Sequence, residues 1–155
     1  VLDLEDVPDW IEGPARHPVM RVSDDRRLQI FRDILGSVFG PDTGFIADEL
    51  GRALQSQSTE HLGYIAYLEG VPASIGRLYT HPQSAFGGLY GGGTLASYRG
   101  RGLYRALIAA RARDAAALGA RFLIVDALPT SQPILESLGF VQLAETWPCT
   151  LPAAP

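Results

Sequence analysis

One segment concentrates residues whose type and spacing could do chemistry: Gly91-Gly-Gly-Thr-Leu-Ala-Ser-Tyr-Arg-Gly-Arg-Gly-Leu-Tyr-Arg-Ala-Leu. It passes from a strand pattern, through a tight basic glycine turn, into a strong helix pattern. Glycines at such a junction let backbone N–H groups approach a ligand closely. The helix N-terminus adds the positive end of its dipole, and Arg99 and Arg101 add full charges. Together these make a cradle for phosphate or pyrophosphate. A P-loop requires Gly-Lys-Ser/Thr, and the chain contains no lysine. The dinucleotide fingerprint requires a third glycine, but Gly100-Arg101-Gly102 runs on into Leu103, Tyr104 and Arg105. Neither fits.

Other reactive side chains are scattered. Tyr90 and Asp126 fall near strand ends, and His61 and His81 offer imidazoles, the side chain most often used as a general base. Each also has a plain structural use, Tyr90 in packing, Asp126 as a hydrogen-bonder at a strand end and the histidines on the surface. Cys149 is the single cysteine and has no His–acid pattern beside it, so it reads as a buried or tail residue. It also excludes an internal disulfide framework and a Cys-rich zinc site. No metal-ligand spacing is visible.

The elements that must position these residues follow from periodicity. Residues 1–16 mix acids with Pro8, Gly13 and Pro14 and read as an N-terminal arm. A short strand over His17–Val22 precedes a helix carrying Leu28, Phe31, Leu35 and Val38, with Asp24 and Asp25 as caps and Gly40-Pro41 as its stop. A second amphipathic stretch carries Ile46, Leu50 and Leu54. Strands are then predicted over His61–Leu68, Val71–Thr80 and Ala85–Leu95, the first two joined at Glu69-Gly70. Leu103–Leu118 is the best helix pattern, with Gly119 as its stop. Phe122–Val125 is an apolar strand, Thr130 or Ser131 caps a short helix ending at Gly139, and Phe140–Glu145 is a last strand. Residues 147–155, rich in proline, read as a loose tail. Antiparallel strands followed by a β-α-β unit indicate a mixed α/β (α+β) domain spanning residues 1–155.

Composition sets the outer bounds. The chain has 155 residues, 46% of them hydrophobic and 19% charged, which excludes general disorder and suits a single core. No apolar run is long enough to span a membrane, and the acidic start shows no signal-peptide pattern. A cytoplasmic location is expected. Val1 is not a methionine, which is compatible with processing or a preceding segment. All 13 basic residues are arginine, as a GC-rich coding sequence would give. Residues 1–78 carry 13 acids against 7 arginines, and residues 79–155 carry 4 against 6. An acidic chain with a mildly basic second half is poorly suited to gripping DNA but could hold one small polyanion there.

The turn resembles the acyl-CoA turn of the GNAT (GCN5-related N-acetyltransferase) superfamily. Arg99-Gly100-Arg101-Gly102-Leu103-Tyr104 matches that family's Arg/Gln-x-x-Gly-x-Gly/Ala except at Tyr104. Leu138-Gly139-Phe140 matches the Leu-Gly-Phe that closes the family's fourth helix, and the element order is similar. The resemblance covers roughly residues 17–146. It implies a central, mostly antiparallel sheet with a splayed strand pair, flanked by about four helices, and acetyl-CoA as co-substrate without a metal. Thr94, Leu95 and Ala96 would lie along the pantetheine, with an amide near Thr94–Leu95 as oxyanion donor. Arg99, Gly100, Arg101, Gly102, Leu103 and Tyr104 would hold the phosphates. Many members carry a Tyr that protonates the leaving thiolate where this chain has Leu135. Ser131, one turn earlier, is a substitute, although N-capping alone would account for it. Ser131 and Tyr90 are therefore the catalytic candidates. The expected reaction is acetyl transfer to a small-molecule or peptide amine; the alternative is a non-catalytic acyl-CoA-binding sensor. A homodimer is compatible with the family, but no seam is visible in the sequence. The acidic first half hints at a cationic acceptor.

Overall fold

The computed structural model describes residues 1–6, 8–147 and 149 of the chain. Its described elements in chain order are β1 (Leu2–Asp3), α1 (Asp9–Glu12), β2 (Val19–Arg21), α2 (Asp25–Phe39), α3 (Gly44–Gln55), β3 (His61–Leu68), β4 (Val71–Tyr79), β5 (Phe86–Thr94), α4 (Leu103–Ala117), β6 (Phe122–Ile124) and α5 (Gln132–Ser137). The six strands lie in one sheet in the order β1-β6-β5-β4-β3-β2. All neighbours are antiparallel except β5 and β6, which run parallel and are joined through α4. This is the expected mixed α/β class, with five α-helices around a mostly antiparallel sheet.

Local chemistry explains most boundaries. The Asp24 carboxylate accepts from Arg27 N–H at 2.8 Å and opens α2. That helix buries Phe31, Ile34 and Leu35, and α3 buries Ala47, Leu50 and Ala53. All of these but Ala53 pack with Ile65 and Ile75 to form a core on one face of the sheet. On the other face α4 packs Leu103, Leu107, Ile108, Ala112 and Ala115 against Tyr64, Leu78, Leu89 and Leu123.

Three expectations are corrected. Residues 1–16 are not a plain arm. Leu2 pairs with Leu123 and Asp3 with Phe122 on β6, and Leu2, Leu4 and Ile11 are buried. Two or three apolar residues among acids are too few to show a period. Phe140–Glu145 forms no strand. Since β1 already lies beside β6, this segment joins the sheet through Val141 N–H to Val1 O at 2.8 Å, while Phe140 is buried. Ser131 precedes α5 as expected, yet makes no side-chain cap; its hydroxyl donates back to Leu128 O at 3.1 Å. The tail expected over 147–155 falls mostly outside the described residues; Trp147 and Cys149 are exposed.

Candidate functional site

The site begins where β5 leaves β6. Their ladder runs Phe86↔Phe122, Gly87↔Leu123 and Gly88↔Ile124 and stops there. β5 continues alongside β4 as far as Ser74↔Thr94, so from Leu89 onward its other edge faces a gap. The register also slips inside that stretch. Arg77 pairs with Tyr90 and Ile75 with Gly93, so Gly76 alone faces both Gly91 and Gly92. An extra residue of this kind bends a strand and leaves backbone groups outside the ladder. Glycine suits it sterically, because a Cβ on Gly92 would lie 2.8 Å from the Tyr104 ring.

The end of β5 divides its amides between two sides. Leu95 N–H donates to Ala73 O at 2.9 Å and is therefore engaged by β4. Strand amides alternate in direction, so Thr94 N–H points away from β4, into the gap. Of the Thr94–Leu95 pair expected to supply an oxyanion donor, Thr94 is the open one. The Thr94 hydroxyl lies 2.7 Å from the Ser74 hydroxyl, and its carbonyl accepts from Arg99 Nε at 3.2 Å. Ala96 begins a single 3-10 turn, Ala96–Tyr98, that leads into the glycines.

Gly100 and Gly102 both have positive φ, 73° and 84°, a region that other residues rarely adopt. Gly102 sits at the N-cap of α4 without any side-chain cap. The first helical bond is Ala106 N–H to Gly102 O at 3.0 Å, so the Leu103, Tyr104 and Arg105 amides have no partner within the helix. His17 braces the turn by donating from Nε2 to Arg101 O at 2.7 Å. Leu103 is 1% exposed, so it presents an amide to the turn and its side chain to the core. Tyr104 turns its ring inward against Gly92, and burial raises its hydroxyl pKa. It follows that Tyr104 is no obstacle: the positions needing positive φ are Gly100 and Gly102, and a residue inside the first helical turn needs none. Free amides, a helix N-terminus and two exposed arginines fit a pyrophosphate.

Across the gap lies a cavity of about 550 Å³. Its walls are the end of β6 with the residues after it, α5, and residues 140–147, and Tyr90 reaches it from β5. Asp126, Glu136 and Glu145 line it, with Leu135, Phe140 and Trp147 supplying apolar surface; none of its lining residues is an arginine. Glu136 and Glu145 belong to no sequence motif. Three of the four carboxylates in residues 79–155 thus meet here, so local acidity comes from the mildly basic half.

The remaining candidates are placed as follows. Leu135, 2% exposed, is a core residue that also borders the cavity, whereas Ser131 does not line it. His61 lies on the α3 side, its Nδ1 3.5 Å from Glu49 and its ring tilted against that of Tyr79 at 4.2 Å. Tyr79 donates to Glu49 at 2.9 Å, and burial, reinforced by that carboxylate, pushes its hydroxyl up to about 12. The Tyr79 ring meets Tyr90 edge-on at 5.1 Å. This cluster of Glu49, His61, Arg77 and Tyr79 escaped sequence reasoning because its members come from three elements without a shared motif. His81 accepts from Gln83 N–H within a surface turn. Among the described residues no group of three or more His, Cys, Asp or Glu side chains is placed to hold a metal, and no helix is long and apolar enough to cross a membrane.

Solved structures share this architecture. An aminoglycoside N-acetyltransferase, AAC(6')-Iy, bound to a CoA-containing bisubstrate analogue superposes with a TM-score of 0.72 at 23% identity, over 88% of this chain and 98% of that one. A Trypanosoma brucei acetyltransferase gives 0.71 at 20% identity, over 87% and 99%. Glucosamine-6-phosphate N-acetyltransferase from Arabidopsis thaliana gives 0.67 at 15%, over 86% and 98%. At these identities the likeness establishes the fold. No curated protein sequence matches the chain significantly. Residues 28–140 match the model of the acetyltransferase (GNAT) family, a span that includes both the parted strands and the glycine turn. The chain belongs to the acetyltransferase (GNAT) family.

Proposed function

We propose that this protein is an enzyme that transfers the acetyl group of acetyl-CoA to a primary amine of a small molecule or peptide, acting in the cytoplasm. The observation that carries this reading is the open edge of β5 leading into the uncapped N-terminus of α4. An extended chain ending in a pyrophosphate would meet strand amides first and the Gly100–Gly102 turn second. The amine nitrogen would attack the thioester carbon, with Thr94 N–H or a bulge amide donating to the carbonyl oxygen as it gains charge. The attacking nitrogen gives up its extra proton to water as the tetrahedral species collapses, the C–S bond breaks, and the thiolate takes a proton back from water, so that neutral amide and thiol result.

The cavity supports an amine acceptor. Asp126, Glu136 and Glu145 would attract a cation, and Asp126 would accept the proton that the ammonium must lose before attack. The test is calorimetry with acetyl-CoA followed by an amine screen that detects released thiol. Micromolar binding and turnover with an amine would support the reading, and absence of acetyl-CoA binding to the intact protein would overturn it. One observation favours a second reading, a non-catalytic acyl-CoA sensor. Leu135 is buried where the family resemblance implies a proton donor, and the Ser131 hydroxyl is turned to Leu128 O. Thiol release with an amine, above the hydrolysis background, would sink it.

A further inference from the structure

Arg111 projects from α4 into the interior and is 1% exposed. Its Nε donates to Leu107 O on its own helix and its Nη1 to Arg77 O on β4, both at 3.1 Å. Its Nη2 is buried without a hydrogen-bond partner among the described residues. Carbonyl oxygens, not carboxylates, thus hold this guanidinium. Burial pushes its pKa down to about 10, which leaves it charged at neutral pH. A buried cation without a counter-ion is costly, and a leucine on the same helical face would avoid that cost.

Its location supplies a reason. A Cβ on Gly76 would lie 2.9 Å from the Arg111 Cζ and Nη1 atoms, so the guanidinium lies directly on the Gly76 backbone. Gly76 is the β4 residue that faces both Gly91 and Gly92. Nη2 in turn lies 3.7 Å from where a Gly92 Cβ would stand. Strand direction identifies the carbonyl that Nη1 binds. Val22 N–H donates to Gly63 O, so Gly63 faces β2, and Arg77 opposite it must direct its carbonyl toward β5. That carbonyl therefore stands at the edge of the slip in register, which lies between the Arg77–Tyr90 and Ile75–Gly93 pairs.

We propose that Arg111 is a positioning residue that fixes the β5 bulge and thereby aims the backbone bordering the gap at the reacting thioester. The catalytic half of this statement rests on the proposed acetyl transfer; the structural half does not. Three forms of the full chain separate the two: wild type, Arg111→Met, which keeps length but removes every donor, and Arg111→Lys. Amide spectra of the ¹⁵N-labelled proteins without ligand should show the Gly91, Gly92 and Gly93 signals displaced in Arg111→Met, with Gly40 and Gly119 unmoved. In turnover, kcat should fall at least about 10-fold while acetyl-CoA affinity changes less than about 3-fold, because the α4 turn is untouched. Arg111→Lys should recover part of both effects. If Arg111→Met fails to fold, Gly76→Ala, whose added methyl displaces the guanidinium, is read in the same way. Unmoved glycine signals or an unchanged kcat in a folded variant would overturn the proposal, as would failure of both substitutions to fold. Displaced glycine signals in a protein whose wild type transfers no acetyl group would leave Arg111 as the anchor of the bulge and remove only the proposed reaction.

Discussion

The two sides of the gap beside β5 are made of different material. On one side, the strand end and the turn from Gly91 to Arg105 offer backbone amides from a continuous stretch of chain. On the other, the cavity is assembled from side chains of Tyr90, the residues after β6, α5 and segment 140–147. A backbone surface constrains sequence chiefly where φ must be positive, so it is marked by glycine and tolerates Leu103 and Tyr104 between its amides. A side-chain surface depends on which residues the fold happens to bring together. The first side is therefore expected to fail all at once when its conformation is broken, whereas the second should lose acceptor binding by degrees.

The strongest way to break that contrast is Gly102→Glu, which combines strain at φ 84° with a charge opposed to phosphate. Acetyl-CoA affinity by calorimetry should fall more than about 100-fold, or about 2.7 kcal/mol. Gly102→Ala, with ordinary space around its Cβ, reports the strain alone and should fall between that and wild type. Next in size is the double change Asp126→Asn with Glu145→Gln. The KM for a cationic amine should rise roughly 10-fold, the rise should shrink at high salt, and acetyl-CoA affinity should stay put. An equal loss for both substrates would mean that the two sides are not separate.

Smaller effects sharpen the same picture. His17→Ala removes a single exposed hydrogen bond to Arg101 O, so acetyl-CoA should bind about 3-fold more weakly with the acceptor KM unchanged. Tyr79→Phe tests the cluster that backs Tyr90. The folded-state pKa of Tyr79 is raised to about 12 from 10.0, so its stabilisation is complete below pH 10 and is lost as pH rises toward 12. Urea midpoints of the wild type should fall more steeply than those of Tyr79→Phe across that window.

Legibility followed the same division. Helix and strand boundaries in the interior were readable because apolar spacing recurs over whole elements: α2, α3 and α4 end within a few residues of their glycine or polar stops, and β3 spans His61–Leu68 as expected. The N-terminal strand was not readable, because two buried leucines at positions 2 and 4 make no period among Asp3, Glu5 and Asp6. The strand expected over Phe140–Glu145 had the right composition, but β1 occupies the place beside β6, and the segment adds only Val141 N–H to Val1 O. At Leu135 the family resemblance implies a proton donor that leucine cannot supply, and the structure adds that the leucine is part of the core.

The glycine turn at the start of α4 is what the sequence carried on its own, because a helix dipole, free amides and positive-φ glycines are local properties of adjacent residues. The tertiary structure alone decided three further things. It placed the acids on the cavity, drawing Asp126, Glu136 and Glu145 together from the half of the chain with the fewest carboxylates. It assigned Leu95 N–H to β4 and left Thr94 facing the gap. It set Arg111 on Gly76 across the interior. Each of these depends on which distant segments share a surface, and that is fixed by sheet register and helix packing rather than by neighbouring residues in the chain.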